Sequence, residues 1–297
     1  MKNLRKELAQ GGVTAPGAHD ALTSILAQRS GFSTVYASGF AFEATQLGAP
    51  DMGIASMKEL VDHTARLTAA APGLNVIVDA DTGFGGPNNI HRTVREFIRA
   101  GAAAIQIEDQ ADPKRCPFLG GRRVVDQDTA VAKIKLAVDA RGNDDMLIIA
   151  RTDADEAGLA EIITRCKRFA DVGADLVLPM VSAIDGIPFI NRDPEERMDI
   201  YRTLIAEIGS PVATLDPPPG YTVQDLFDAG AALVTLPLMS LQAATNAAIA
   251  YFDSLRETGS SEAYVRANPP TLNANLDMMK LLGLDNYEDR LNSMPRD

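Results

Sequence analysis

Short apolar runs recur along the chain at Gly12 to Ala15, Thr34 to Tyr36, Val76 to Val78, Ala104 to Ile107, Met146 to Ala150, Leu176 to Leu178, Pro211 to Thr214 and Leu233 to Leu236. Helical patterns separate them near residues 20 to 29, 57 to 70, 90 to 100, 127 to 140, 157 to 171, 194 to 207 and 222 to 229. Continuous rather than alternating apolar character marks strands covered on both faces, the condition of a parallel sheet. Three helical patterns close on Ala100-Gly101-Ala102, Val172-Gly173-Ala174 and Ala229-Gly230-Ala231, where glycine supplies a left-handed cap. Eight strands alternating with helices predict an α/β fold of the (β/α)8 TIM-barrel type, with a doubly wound open sheet as competitor because periodicity does not show closure. The reading assigns residues 1–240 to the barrel and 241–297 to a carboxyl-terminal helical extension. Two irregular stretches, Ala111 to Asp126 and Val181 to Asp193, follow the carboxyl ends of strands and are long enough to be lids.

Bulk composition narrows the partners. The 297 residues carry a net charge of -12 with 46% hydrophobic content, which suits a soluble globular protein and disfavours nucleic acid and anionic membranes. An anionic substrate would then need local positive charge. The two cysteines, Cys116 and Cys166, lie too far apart in sequence for CxxC spacing and predict neither a zinc site nor a disulfide scaffold. Met1-Lys2-Asn3-Leu4-Arg5 has no apolar signal core and no apolar stretch is long enough to span a bilayer, so a cytoplasmic location is expected.

The chemistry gathers at strand ends. Asn75-Val76-Ile77-Val78 breaks into Asp79, Asp81 and the turn Thr82-Gly83-Phe84-Gly85-Gly86, and the run ending at Ile107 meets Glu108-Asp109. Unpaired buried carboxylates are costly, so several of them at one mouth imply a cation, and hard oxygen ligands favour Mg2+, with Mn2+ as the alternative. Further strand ends supply Tyr36-Ala37-Ser38-Gly39-Phe40 and Arg151-Thr152-Asp153. The histidines, His19, His63 and His91, fall at or near helical patterns and read as structural or exposed.

Together with Pro50-Asp51-Met52-Gly53, Lys114-Arg115-Cys116 and Ile149-Ala150-Arg151-Thr152-Asp153-Ala154, these motifs resemble the isocitrate lyase and phosphoenolpyruvate mutase superfamily. Within it the chain is most similar to the branch of 2-methylisocitrate lyases, dimethylmalate lyases and carboxyphosphoenolpyruvate mutases. The resemblance implies Asp79 as the direct Mg2+ ligand, with Asp51, Asp81 and Glu108 holding the metal's water ligands. It places Ser38, Gly39, Phe40 and Arg151 around the carboxylate of a 2-oxo or 2-hydroxy acid, although a salt bridge from Arg151 to Glu108 is an alternative. It makes Tyr36 a base at the substrate hydroxyl and Cys116 the proton donor to the departing carbon, with Lys114 and Arg115 expected to favour the thiolate. A homotetramer with exchanged carboxyl-terminal helices is also implied.

The pattern departs from the lyases in three places. Cys116-Pro117-Phe118 replaces Cys-Gly-His, Leu178-Pro179-Met180 lacks the glutamate after the proline, and Ala213-Thr214-Leu215-Asp216-Pro217-Pro218-Pro219 lacks an asparagine. In the resembled lyases the three polar groups missing here belong to the half of the pocket that receives the second, carboxylate-bearing fragment. We therefore expect a distal substituent that is less anionic or bulkier, facing Phe118, Leu119, Met180 and Pro219. The leading expectation is a Mg2+-dependent carbon–carbon lyase acting on a substituted malate-like or methylisocitrate-like acid. An oxaloacetate-type hydrolase or decarboxylase, a carboxyphosphoenolpyruvate-type mutase and a non-catalytic relative are the competing readings.

Overall fold

The computed structural model describes residues 3–272 and 275–294. Eight parallel strands form its centre: β1 (Val13–Pro16), β2 (Thr34–Ala37), β3 (Asn75–Asp79), β4 (Ala104–Glu108), β5 (Leu147–Thr152), β6 (Leu176–Pro179), β7 (Ala213–Thr214) and β8 (Leu233–Leu236). β2 to β6 pair in order, and β8 lies between β1 and β7. Parallel bridges from Gly17 to Tyr36 and from Val177 to Val212 join the two groups, so the ring closes as a barrel and the open-sheet alternative is excluded.

Closure explains why the strands are apolar on both faces. Val13, Ala15, Tyr36, Ile77, Ala104, Leu147, Ile149, Leu176, Leu178, Ala213 and Leu233 pack with one another inside the ring. The alternate residues, among them Val35, Val76, Ile105, Ile148 and Val234, pack outward in a second cluster that includes Phe97 and Phe169 from the surrounding helices. Each fully buried phenylalanine contributes about 1.5–3 kcal/mol relative to exposure.

Strand and helix positions agree with the periodicity to within about three residues, the uncertainty usual for element ends. The third helix begins earlier than expected, at Pro87, because proline at a first helical position has no hydrogen bond to lose. Gly101, Gly173 and Gly230 have φ of 83°, 98° and 102°, as left-handed caps require. The stretch after β6 is more ordered than expected. Ala183–Ile184 and Ile187–Pro188 form a small hairpin around Asp185-Gly186, whose φ values of 54° and 74° suit a primed two-residue turn.

By internal contacts the chain divides into Met1–Ser240 and Leu241–Asp297. The second unit is helical, with Glu262–Ala267, Asn275–Leu281 and Leu284–Asn292 following the long helix Met239–Thr258. Its described helices bury no residue, and Ile249, Phe252, Met279 and Leu291 are exposed. Among the described residues no helix is long and apolar enough to cross a membrane.

Candidate metal and oxo-acid site

Strand register assembles the polar group. Asp79 pairs with Gln106 across β3 and β4, and Glu108 pairs with Arg151 across β4 and β5. Neighbours in parallel register point the same way. Tyr36, Asp79, Gln106, Glu108 and Arg151 therefore continue the inward-facing rows at the carboxyl ends of the strands, the face on which barrels carry chemistry.

Asp79 is buried and has only long contacts to neutral donors. Its Oδ1 accepts from Asp81 N at 3.2 Å and Gln106 Nε2 at 3.3 Å, and its Oδ2 from Gly39 N at 3.4 Å. Gly39 opens the short helix after β2. A Cβ there would stand 3.3 Å from Asp81 Oδ1 and 3.4 Å from Asp79 Oδ2, so glycine keeps the cradle open. Tyr36 donates to Gln106 Oε1 at 2.8 Å, tying the phenol to the amide that also reaches Asp79.

The acids are joined by a cation that sequence reading assigned elsewhere. Lys114 Nζ donates to Asp51 Oδ1 at 2.6 Å and lies 2.6 Å from Asp81 Oδ1. The second contact is an ion pair off the hydrogen-bonding direction, so Asp81 Oδ1 has no hydrogen-bond partner. Gly53, at φ 68°, makes room for the lysine stem, since a Cβ there would meet Lys114 Cγ at 2.9 Å. Glu43 fixes the Asp51 turn from below by accepting from the backbone amides of Met52, Ile54 and Ala55 at 2.9, 2.5 and 2.9 Å. A cavity of about 360 Å3 opens beside this group, lined by Met52, Asp81, Phe84, Asp112 and Lys114 among others.

Negative charge is in excess here. Burial pushes Asp81 up to about 7, with Asp79 and Asp51 adding to the effect and Lys114 opposing it. Burial likewise raises Glu108 well above the usual carboxylate range, against the pull of Arg151. Burial works against the charge on Lys114, but Asp81, Asp79, Glu108 and Asp51 outweigh it and hold the proton firmly. One lysine and one arginine thus leave the set of four carboxylates short of positive charge, with Asp81 Oδ1 and Glu108 Oε1 buried and without hydrogen-bond partners.

These residues fit a divalent cation of the Mg2+ kind. No three His, Cys, Asp or Glu side chains among the described residues form a ready metal cage. Mg2+ does not need one, because it retains waters and takes one or two carboxylates plus substrate oxygens. Asp79, with no Lys or Arg paired to it among the described residues, suits the direct ligand. Asp51, Asp81 and Glu108 suit hydrogen bonds to the metal's waters.

Two expectations are corrected by the structure. First, Cys116 is not poised as a thiolate: burial pushes its thiol up to about 11, Asp51 adds to the shift, and Lys114 points into the acids. A neutral thiol is the form that a proton donor needs. Second, Phe118 and Leu119 do not line a pocket in this structure, being 61% and 42% exposed, and Pro219 is exposed as well. Met180 is buried, its amide bonded to Thr152 O at 3.0 Å. The salt bridge expected as the alternative for Arg151 is present: Nε and Nη2 donate to Asp153 at 2.9 and 2.8 Å, while Nη1 stands 3.3 Å from Glu108 Oε2. Five N–H donors leave the Nη1–Nη2 edge for a second carboxylate.

Tyr36 is held neutral. Burial raises its phenol well above the usual value, and Asp79 and Glu108 reinforce that. Ser38 is buried at the start of the Gly39–Phe42 helix, its side chain making no cap bond there, and Phe40 follows in the same turn. Cys166 is buried with its thiol strongly raised by burial, as a core residue should be. His63 packs edge-on against Phe42 and is lowered to about 4 by burial, consistent with a structural role.

Sequence reasoning missed Gln106, Glu43, Lys114 as partner of the acids, and the buried pairs around Asp153. Gln106 had a signal, an amide inside the run Ala104 to Ile107, and Glu43 likewise proves to be a buried acid. The others depend on loop conformation and had none.

The phosphoenolpyruvate phosphomutase family matches residues 4–256, and the chain belongs to that family and so to the phosphoenolpyruvate mutase/isocitrate lyase superfamily. It is 40% identical over 219 residues to 2,3-dimethylmalate lyase of Eubacterium barkeri, covering 73% of this chain and 68% of that one. It is 35% identical over 279 residues to 2-methylisocitrate lyase of Aeropyrum pernix, covering 94% and 85%. The fold matches phosphonopyruvate hydrolase, solved in complex with oxalate and Mg2+, with a TM-score of 0.82 and 26% identity over 98% of this chain and 97% of that one.

Proposed function

We propose that the protein is a divalent-metal-dependent lyase that cleaves an alkyl-substituted malate-type 2-hydroxy acid to a 2-oxo acid and a second carboxylic acid. One observation carries this reading: four buried carboxylates converge on the barrel mouth with too little positive charge, beside an arginine with a free edge and a neutral thiol. Its relatives include a 2,3-dimethylmalate lyase and a 2-methylisocitrate lyase, and phosphonopyruvate hydrolase of the same fold was solved with oxalate and Mg2+.

Asp79 would hold the metal, with Asp51, Asp81 and Glu108 on its waters. When bound, the cation supplies Lewis-acid polarisation of the substrate hydroxyl and offsets the negative charge around it. The free edge of Arg151 and the amides at Ser38 and Gly39 would receive the substrate C1 carboxylate. With a cation offsetting the charge of Asp79 and Glu108 that helps keep Tyr36 neutral in the metal-free protein, Tyr36 would lose its proton and, as phenolate, take the hydroxyl proton. As the C2–C3 bond breaks, its electron pair passes to C3, the C2 oxygen becomes the carbonyl of the oxo acid, and the Cys116 thiol gives C3 a proton. Thiolate and phenol then exchange a proton to restore both groups. The side of the mouth formed by Leu178, Met180 and Leu215 is apolar, which supports a hydrocarbon substituent on the departing fragment.

The test is a screen of malate, alkylmalates and 2-methylisocitrate for 2-oxo acid release, using metal-stripped protein with and without Mg2+ or Mn2+. Release from alkylmalates with metal alone supports the reading, whereas a clear preference for the tricarboxylate contradicts the distal assignment. Oxalate or carbon dioxide without a second carbon fragment would point instead to hydrolysis or decarboxylation. We also propose that residues 241–297, with their exposed apolar side chains, associate with further copies of the chain in the cytoplasm. A monomer in sedimentation equilibrium would contradict that assembly.

A further inference from the structure

Arg122 lies in the stretch Ala111 to Asp126, and its guanidinium is buried although the surrounding segment is largely exposed. Its Nη1 donates to Asp153 Oδ1 at 3.0 Å, and its Nη2 donates to Asp155 Oδ1 at 2.8 Å and to Ser182 Oγ. Asp153 Oδ1 also accepts from Arg151 Nη2 at 2.8 Å, so a single carboxylate oxygen is shared by two guanidinium groups. Asp155 Oδ2 in turn accepts from Ser182 N, Ser182 Oγ and Ala183 N at 2.6, 2.8 and 2.9 Å. The network therefore ties the loop carrying Cys116, the loop after β6, and Arg151 at the end of β5.

The charges decide what this tie does. With Arg122 docked, two cations face two fully buried carboxylates, and Asp153 divides its charge between the two arginines. With Arg122 withdrawn, Asp153 would keep Arg151 as its ion-pair partner and Asp155 only Ser182 and Ala183, a buried excess of negative charge that strengthens the Arg151–Asp153 pair. Arg151 would then have less attraction left for another carboxylate.

We propose that Arg122 is a positioning residue: by docking on Asp153 and Asp155 it joins the Cys116 loop to the Ser182 loop and releases positive charge on Arg151 for the substrate carboxylate. This rests on the reading that Arg151 receives that carboxylate and Cys116 acts from its loop. Closing the loop and gripping the substrate are then one event. The proton donor is in place when the carboxylate is most firmly held.

Oxalate serves as the probe, titrated calorimetrically into the full-length protein with Mg2+ present. Arg122→Gln should weaken oxalate binding by about tenfold, and Arg122→Lys should recover at least half of that loss on a logarithmic scale because the charge is kept. Adding Asp153→Asn to Arg122→Gln should restore binding by about threefold or more, since it removes the charge that competes for Arg151; a purely structural latch gives no such rescue. Unchanged binding by Arg122→Gln, or a further loss on adding Asp153→Asn, overturns the proposal. Hydrogen exchange on the free proteins separates this from the functional reading. If the wild type binds no oxalate, the functional reading fails. The tie between the loops is then sustained if Arg122→Gln speeds exchange at both Ser182–Ala183 and the 114–122 segment, and refuted if the Ser182–Ala183 amides are unaffected.

Discussion

The two halves of the barrel mouth differ in kind. β2 to β5 end in Tyr36, Asp79, Gln106, Glu108 and Arg151, all buried and in register, whereas the ends of β6 and β7 offer Leu178, Met180 and Leu215. On one side, parallel register places carboxylates close enough to raise one another's proton affinity, so that side asks for a cation. On the other, nothing charged faces the opening from these positions. The polar half is suited to the chemistry of a 2-hydroxy acid, and the apolar half to choosing what the rest of that acid carries.

Removing the metal ligand should break the polar half most completely. Asp79→Ala should lower metal-dependent 2-oxo acid release by about 10^3-fold or more, because it deletes the carboxylate that would hold the cation. Initial rates across a Mg2+ series provide the check, and loss repaired by millimolar Mg2+ would show that Asp79 is not the direct ligand.

Cys116→Ser comes next. A serine hydroxyl releases its proton far less readily than a thiol, so kcat should fall by about 10^2–10^4-fold with KM nearly unchanged. A parallel rise in KM would instead assign Cys116 to substrate binding. The comparison of halves is sharpened by Met180→Glu, which places an acid on the apolar side. The preference for an alkylmalate over 2-methylisocitrate should drop by about 10–200-fold, read as the ratio of kcat/KM values.

The smallest effect is one of pH. Because Asp81 is raised from 3.8 to about 7, its protonation stabilises the metal-free fold fully below about pH 4, and that contribution is lost as pH rises through about 7. Metal compensates the ionised form, so the increase in Tm produced by Mg2+ should grow by several degrees between pH 5 and pH 8. An increment that shrinks over this range would mean that Asp81 does not sense the metal.

Much of this was legible in the chain because the relevant physics is local. Apolar runs ending in Asp79 and Glu108, and glycines at 101, 173 and 230 that cap helices, follow from backbone and burial rules acting over a few residues. The barrel was expected from the alternation of strands and helices, but periodicity alone left closure open, since the bridge from Val177 to Val212 is set by packing across the whole ring. Nor was the position of Lys114, two residues before Cys116 yet aimed at Asp51 and Asp81, because a long side chain goes where buried charge is greatest. Phe118 illustrates the same limit in reverse. Its neighbourhood to Cys116 suggested a pocket wall, and the loop turns it to solvent. Arg122, Asp153, Asp155 and Ser182 are up to 60 residues apart and meet only through tertiary structure.

The central claim is that Asp79 and its acidic neighbours bind a divalent cation that in turn recruits a small oxo-acid anion. Calorimetric titration of oxalate into wild-type protein and Asp79→Asn, each with and without Mg2+, tests it most directly. The account predicts oxalate binding by the wild type only when Mg2+ is present, and none by Asp79→Asn at the same metal concentration. Equal oxalate affinity in metal-free protein, or in the variant, would contradict it.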